Sequence, residues 1–196
     1  MNKKNIYSVF LLFLIIFAGC QQLPKTEGGP ESNVAYIEEL SSSNQMRFTV
    51  DDNGGSSEFT TRVANPTLDK VTYTVKIDET LLEAYNAENK TSFTVLPHKV
   101  FDLQLIDKDG KIVKEGKELN ITLEPNEYGK KIKVLVKSMM EEHKDDKGET
   151  IKTPLSYYQN YAIPVKMTNV EGGARLQSTA NSGILFLNRK FSMPVM

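Results

Sequence analysis

The chain is poor in the residues on which many enzymes and metalloproteins depend. Its 196 residues include one cysteine, two histidines and no tryptophan. A single cysteine excludes an internal disulfide and a zinc site built on several thiolates. An excess of one charge is also lacking, because 24 basic and 25 acidic residues leave a formal net charge of −1. This balance, with no basic stripe, argues against a nucleic-acid-binding protein.

The long apolar run at the start of the chain is too short to span a membrane. Residues 6–18 are apolar apart from Ser8, and they follow a basic start that contains Lys3 and Lys4. A helix needs about 20 residues to cross the hydrocarbon core of a bilayer. A basic start before a short apolar run is typical of secretory signals, so we predict a signal peptide over residues 1–19.

The end of this signal resembles that of bacterial lipoproteins. Ala18 and Gly19 form a small-residue pair directly before Cys20, although Phe17 stands where Leu is usual. The resemblance implies that Cys20 is lipidated and becomes the first mature residue, so that the membrane is a partner through this anchor. Gln21 replaces the Asp of the inner-membrane retention signal. We therefore expect a lipid-anchored outer-membrane protein, on either the cell-surface or the periplasmic face.

The rest of the chain divides into a tether, one domain and a tail. Residues 20–32 hold the anchor cysteine and a polar stretch with two prolines and two glycines, which predicts a flexible tether. We assign residues 33–191 to a single folded domain, a normal size for one core. Residues 192–196 form a short apolar C-terminal tail.

The domain alternates apolar and polar residues, as half-buried strands do. The clearest runs are residues 46–50, 58–64, 70–77, 119–123 and 131–137. Many short strands separated by turns predict a mostly β fold, a single β-sandwich.

Several features qualify this pattern. Asn53-Gly54 indicates a hairpin-type turn. Residues 141–150 predict a charged loop, and Pro164 within residues 157–167 predicts an edge or bulged strand.

The hydrophobic period changes at residues 79–89, where Leu81, Leu82 and Tyr85 lie on one stripe and predict one short helix. A capping box of Thr80 with Glu83, or Asp78 as the rival cap, would start this helix. The side chains expected to be largely buried are Tyr73, Val75, Leu81, Leu82, Tyr85, Val134 and Val165.

Two segments carry a resemblance to a known family. Residues 78–97 contain Leu-x-x-Tyr-Asn followed by Leu-Pro, and residues 161–174 run from Tyr-x-Ile-Pro-Val to Gly-Gly-Ala. Together they resemble an uncharacterised N-terminal domain of Bacteroidota surface lipoproteins. The resemblance implies an immunoglobulin-like sandwich that lies between a lipid anchor and a second domain. In relatives that second domain is a family-18 endo-N-acetylglucosaminidase or a lectin-like jelly roll, in systems that capture and digest glycans.

No pattern in the chain predicts catalysis. The Asp-x-x-Asp-x-Asp-x-Glu motif of family-18 hydrolases is absent, and neither His98 nor His143 has the neighbours of a triad or a metal centre. The acidic stretches at residues 107–110 and 145–149 read as hairpin turns, because Gly110 is misplaced for a calcium loop. We therefore expect no catalytic residue, no metal site and no cofactor.

Tyr157, Tyr158 and Asn160 are the predicted binding residues. Aromatic rings stack on the C–H faces of sugars, and amides bind hydroxyl groups. If residues 157 and 158 begin a strand, their side chains point to opposite faces and at least one is exposed. The first hypothesis is a non-catalytic outer-membrane module of a glycan-acquisition system, which acts as a binding module or as a spacer. The alternatives are a structural subunit or adhesin component docking on another outer-membrane protein, and, less favoured, a small hydrolase.

Overall fold

The structure, a computed structural model, describes residues 33–64 and 69–190. The predicted signal peptide, Cys20 and the tether, and the tail over residues 192–196 all lie outside the described residues. Within the described part, fourteen strands accompany one α-helix. None of the helical segments described there has the length and hydrophobicity needed to cross a membrane.

The first of two large sheets has six strands. In spatial order they are β13 (Arg175–Leu176), β1 (Val34–Ile37), β3 (Gly55–Val63), β9 (Gly129–Val136), β6 (Phe101–Ile106) and β7 (Ile112–Gly116). β13 joins β1 in parallel, and the other neighbours are antiparallel. β7 therefore forms one edge of this sheet.

The second sheet faces the first across the core. Its strands in order are β2 (Gln45–Val50), β14 (Ser182–Arg189), β12 (Tyr161–Glu171), β4 (Val71–Ile77) and β8 (Glu118–Leu123), and β5 (Thr94–Val95) pairs with the start of β12. β2 pairs in parallel with β14, and β5 pairs in parallel with β12. A separate hairpin joins β10 (Met140–Lys144) to β11 (Thr150–Pro154). Two 3₁₀ turns cover Glu38–Leu40 and His98–Val100.

The predicted β-sandwich is confirmed by the core between the two sheets. Tyr73, Val75, Val134 and Val165 are buried there, as the alternating pattern predicts. Tyr73 brings a hydroxyl into this core, and that hydroxyl lies 2.6 Å from the Thr61 hydroxyl of the facing sheet. A buried polar group that is hydrogen-bonded avoids most of its desolvation cost. Burial raises the pKa of Tyr73, so the phenol stays protonated as a neutral link between the sheets.

The predicted short helix forms as α1 (Thr80–Asn89) and packs on the outer face of the second sheet. Leu82 is buried there as expected, whereas Leu81 and Tyr85 are intermediate and therefore less buried than Leu82. A sheet covers one narrow stripe of a ten-residue helix, and the flanking residues stay at its margin.

Side chains at the two ends of α1 fasten it to the rest of the fold. Asp78, and not a Thr80–Glu83 box, supplies the cap, because its Oδ1 accepts the Thr80 N–H at 3.3 Å. Hydrogen bonds from Thr80 and then from Lys166 lower the pKa of Asp78. At the other end the Asn86 amide donates to the Phe93 carbonyl and accepts the Phe93 N–H. This bridge gives the Asn of the Leu-x-x-Tyr-Asn segment a structural role.

Pro164 lies in a central strand, so the predicted edge position is wrong. β12 has β14 on one side, and on the other its neighbour changes from β5 to β4. The Pro164 carbonyl accepts the Asp78 N–H on that second side. The backbone nitrogen of a strand residue faces the same side as its carbonyl. The Pro164 nitrogen, which has no hydrogen to donate, therefore faces the gap between the end of β5 and the start of β4, where no strand needs a donor. The bulge that β12 does contain lies further along, between Thr168 and Glu171.

The Asn53-Gly54 turn forms, but it does not join neighbouring strands. Asp51 and Gly54 exchange two backbone hydrogen bonds of 3.0 Å, as in a tight hairpin. The strands on either side then enter different sheets, β2 in the second and β3 in the first. Gly54 has φ +101°, and a Cβ there would lie 2.1 Å from the Val136 carbonyl oxygen. The turn that carries the chain from the second sheet to the first therefore requires glycine at this position.

The charged stretch at residues 141–150 is not a simple loop. It forms the facing parts of β10 and β11 and the turn that connects them. The turn is closed by the Asp145 carboxylate, which accepts the N–H groups of Lys147 and Glu149. The β11 residues are all exposed, so the hairpin has no buried face that could produce an alternating sequence pattern.

Candidate functional site

The predicted binding residues occupy a turn between β11 and β12. Residues 157–159 lie in this turn and β12 begins at Tyr161, so the expectation that Tyr157 and Tyr158 start a strand is wrong. Leu155 before the turn and Tyr161 after it are both buried. The Tyr161 hydroxyl donates to the Gln159 side chain at 3.0 Å. Core residues therefore hold both ends of the turn, which we call the tyrosine turn (residues 156–160).

Tyr157 lies against an ion pair at this end of the sandwich. Its hydroxyl donates to the Asp52 carboxylate, with oxygen distances of 2.9 and 3.1 Å. The Arg189 guanidinium lies 3.7 Å from the centre of the Tyr157 ring, a cation–π contact. The hydrogen bond to Asp52 raises the pKa of Tyr157. These contacts give Tyr157 a structural role in positioning the turn.

Arg189, at the end of β14, connects this ion pair to the neighbouring loops. Its Nη2 lies 2.6 Å from Oδ1 of Asp52, and its Nη1 donates to the Leu155 carbonyl at 2.7 Å. The Arg189 side chain is 10% exposed, and the Asp52 side chain is 31% exposed. The hydrogen bond from Arg189 lowers the pKa of Asp52, so this carboxyl is ionised at neutral pH. It is therefore unsuited to act as a general acid.

Sequence reasoning missed both Asp52 and Arg189. They lie 137 positions apart in the chain. The parallel pairing of β2 with β14 places Val50 opposite Arg189, and Asp52 follows two residues later. No local sequence signal marks this contact, because it depends on which strands become neighbours.

Tyr158 is the residue that the tyrosine turn presents to solvent. Its side chain is fully exposed, at 102% of the reference value. The backbone beneath it is held because the Tyr158 N–H donates to the Ser156 hydroxyl at 3.3 Å. Asn160 is also exposed, while its carbonyl accepts the Thr94 N–H at 2.8 Å. The turn thus offers one whole aromatic ring, with an amide two residues away, on a fixed backbone.

The two histidines and the acidic turns are engaged locally. His98 Nε2 lies 3.1 Å from Glu79 at the surface, and His143 Nδ1 lies 3.2 Å from the Thr153 hydroxyl. The Asp107 carboxylate accepts the N–H groups of Asp109 and Lys111, which closes the predicted hairpin turn. In the described part of the chain, no group of three or more His, Cys, Asp or Glu side chains could hold a metal ion.

The fold is that of a β-sandwich domain, and a family model makes the assignment more specific. Residues 30–174 match a model whose description ends in "-like, N-terminal domain", and the chain belongs to that family. The matched range contains residues 78–97 and 161–174, so the resemblance noted in the sequence is confirmed. Among curated proteins, no sequence match was found.

Solved structures with a similar fold include several Bacteroides proteins. A two-domain protein of unknown function from Bacteroides fragilis aligns with 82% of this chain and 47% of its own, at 13% identity and a TM-score of 0.55. A Bacteroides ovatus protein, provisionally described as carbohydrate binding, aligns over 81% and 37% at 14% identity and a TM-score of 0.53. EndoBT-3987 of Bacteroides thetaiotaomicron, solved with a Man5GlcNAc product, aligns over 79% and 30% at 17% identity and a TM-score of 0.46. The chain spans less than half the length of each of these proteins.

Proposed function

We propose that this chain is a non-catalytic, lipid-anchored module that binds carbohydrate in glycan acquisition. The observation that carries the proposal is the fully exposed Tyr158 ring on a turn fixed at both ends. Because the backbone beneath the ring is already fixed, a bound sugar has to order only the side-chain torsions of Tyr158. Membership in a family of N-terminal domains supports the proposal, as does the fold shared with a protein described as carbohydrate binding.

The proposed anchor is a lipid on Cys20, with the outer membrane as its location. It rests on the apolar run over residues 6–18 and on the pair Gly19-Cys20. Each CH₂ of an acyl chain that enters the bilayer contributes about 0.8 kcal/mol, so two or more chains give stable attachment. Many copies anchored side by side would bind one polysaccharide with avidity, which offsets a weak single site.

Replacing the anchor cysteine should release the protein. We expect Cys20→Ala to move the chain from the membrane fraction to the soluble fraction, or to leave an uncleaved precursor. Fractionation with detergent phase separation measures both outcomes, and Gln21→Ala serves as the matched control. Unchanged membrane retention and detergent behaviour in Cys20→Ala would overturn the proposed lipidation.

Glycan binding should depend on Tyr158. We expect millimolar to high-micromolar dissociation constants for a neutral oligosaccharide, weakened about two- to tenfold by Tyr158→Ala, because stacking on one ring is worth little. Calorimetry of the full chain against host and dietary glycans measures this effect. Tyr158→Phe keeps the ring and should bind almost as wild type. Tyr157→Ala should bind less well by loosening the turn, and binding unaffected by both alanine variants would exclude the tyrosine turn.

A structural-partner function is the second candidate. Ile112 and Val113 are exposed next to each other on β7, the edge strand of the first sheet. An exposed edge with β-branched residues can pair with a strand of another protein. Absence of binding to any glycan, together with co-purification of one outer-membrane protein through β7, would favour this function. Turnover of a glycoside that one Asp or Glu substitution abolishes would instead identify an enzyme.

A further inference from the structure

A second surface, away from the tyrosine turn, combines an exposed aromatic ring with cationic side chains. It is a cavity of about 820 Å³ on the solvent side of β3 and β9. Thr60 and Arg62 line it from β3, where they alternate with buried residues, and Lys131 and Lys133 line it from β9 in the same way. The loop before β9 adds Tyr128, which is 58% exposed. We call this surface the Tyr128 cleft.

The backbone at Tyr128 is fixed on both sides. Its carbonyl accepts the Val63 N–H at 2.9 Å. Directly after it, a Cβ at Gly129 would lie 2.2 Å from the Thr61 carbonyl oxygen, so the chain approaches β3 too closely for any other residue. Before it, the Glu127 N–H donates to the Glu124 carbonyl at 2.9 Å and closes the loop. The ring is therefore presented from a preorganised loop.

The cleft contains more positive than negative side chains. Its cations are Arg62, Lys108, Lys130, Lys131 and Lys133, of which Arg62 is paired with Glu38 at 2.6 Å, and its carboxylates are Glu58, Asp107 and Glu127. The carboxylates are already engaged. Lys131 pairs with Glu58 at 3.1 Å, Lys130 pairs with Glu127, and Asp107 accepts backbone N–H groups within its own turn.

Two of the lysines have no such partner. Lys108 and Lys133 form no ion pair with any residue in the described ranges, and Lys133 lies directly across from Glu58, whose carboxylate is paired with Lys131. An unpaired ammonium group in the same cleft as an exposed ring can bind an anion without first breaking an ion pair.

We infer that the Tyr128 cleft binds an acidic sugar unit, a uronic acid or a sulfated residue, and that the module prefers acidic over neutral polysaccharides. One sugar ring of the chain stacks on Tyr128, and Lys108 and Lys133 bind carboxylate or sulfate groups of the units that lie along the cleft. This inference rests on the proposed carbohydrate-binding function and adds a charge preference to it. The cleft is open enough for an internal residue of a long chain to bind.

The test compares polygalacturonate with its fully methyl-esterified form, which has the same backbone without the charge. We expect the full chain to bind polygalacturonate, or chondroitin sulfate as a second probe, about three- to tenfold more tightly than the neutral ester in calorimetry at low salt. The double variant Lys108→Ala/Lys133→Ala should remove this preference. Lys144→Ala/Lys147→Ala is the matched control, because it removes two exposed lysines of the β10–β11 hairpin, lowers the net charge equally and should keep the preference.

The outcomes separate this inference from the proposed function. Equal binding of the acidic and neutral polymers, weakened by Tyr158→Ala, would overturn the inference while supporting the tyrosine turn. A preference lost in Lys108→Ala/Lys133→Ala but insensitive to Tyr158→Ala would support the cleft and exclude the turn as its ligand contact. Tyr128→Ala should weaken acidic binding and Tyr128→Phe should not. Failure to bind either acidic polymer, equal binding of inorganic polyphosphate, or an equal loss in the control double variant would each overturn the inference.

Discussion

Arg189→Ala should lower the free energy of unfolding by about 2–4 kcal/mol, because it removes the buried partner of an ion pair together with the donor to the Leu155 carbonyl. The Arg189 side chain is 10% exposed. It donates to the Asp52 carboxylate and to the Leu155 carbonyl, and it lies over the Tyr157 ring. Without it, the carboxylate and the carbonyl lose their strongest donors. Urea denaturation followed by circular dichroism measures the change.

Two variants provide the controls for this prediction. Arg189→Lys keeps the charge but loses the planar fork that reaches two acceptors at once, so it should retain part of the stability. Tyr157→Phe keeps the ring under the guanidinium and removes only the hydroxyl that donates to Asp52, so its loss should be smaller than that of Arg189→Ala. If Arg189→Ala unfolds at the same urea concentration as wild type, the cluster does not contribute to stability.

The same ion pair should make stability depend on pH in the acid range. The pKa of Asp52 in the folded chain lies below its ordinary value of 3.8, chiefly because of the hydrogen bond from Arg189. The stabilisation is therefore complete above pH 3.8 and is lost as the pH falls through the lower, folded-state pKa. We expect the stability difference between wild type and Asp52→Asn to be constant near neutral pH and to shrink in strong acid.

The alternating strands could be predicted because one face of each is buried in the common core. Tyr73 and Val75 on β4, and Val134 on β9, belong to such faces. The β10–β11 hairpin could not be predicted in this way, since its exposed residues leave no pattern of burial. The edge-strand prediction from Pro164 is wrong for a different reason. The side of Pro164 that lacks an N–H donor faces the gap between β5 and β4, so a proline is tolerated within the central strand β12. The sequence does not show where one neighbouring strand ends and the next begins.

The two proposed binding surfaces could be predicted only where the sequence itself is unusual. Two adjacent aromatic residues, Tyr157 and Tyr158, stand out in the sequence before a strand. At least one of them was expected to be exposed, and Tyr158 is fully exposed. What separates the two tyrosines is the contact of Tyr157 with Asp52 and Arg189, from strands distant in the chain. No sequence pattern marks Tyr128 as part of a surface cleft, because its neighbours there come from β3 and from the turn after β6, which are distant in the chain.

Leu82→Ala should destabilise the protein by about 2–5 kcal/mol, the usual range when a buried leucine leaves a cavity. Leu82 belongs to a small cluster on the outer face of the second sheet, with Ala162, Ile184 and Phe186. The Phe186 ring lies 5.2 Å from the Tyr85 ring and 4.6 Å from the Phe93 ring, and this aromatic group extends the cluster. A helix of ten residues is marginal in water by itself, so α1 depends on this contact.

Leu81→Ala is the matched control for Leu82→Ala. It makes the same chemical change one position along the same helix, at a side chain that is only partly buried, and we expect it to cost less than about 1 kcal/mol. Because the sheet separates the Leu82 cluster from the main core, hydrogen exchange should rise in α1 of Leu82→Ala while the amides of β9 stay protected. A loss below about 1 kcal/mol in Leu82→Ala, equal to that in Leu81→Ala, would contradict docking of α1 through Leu82.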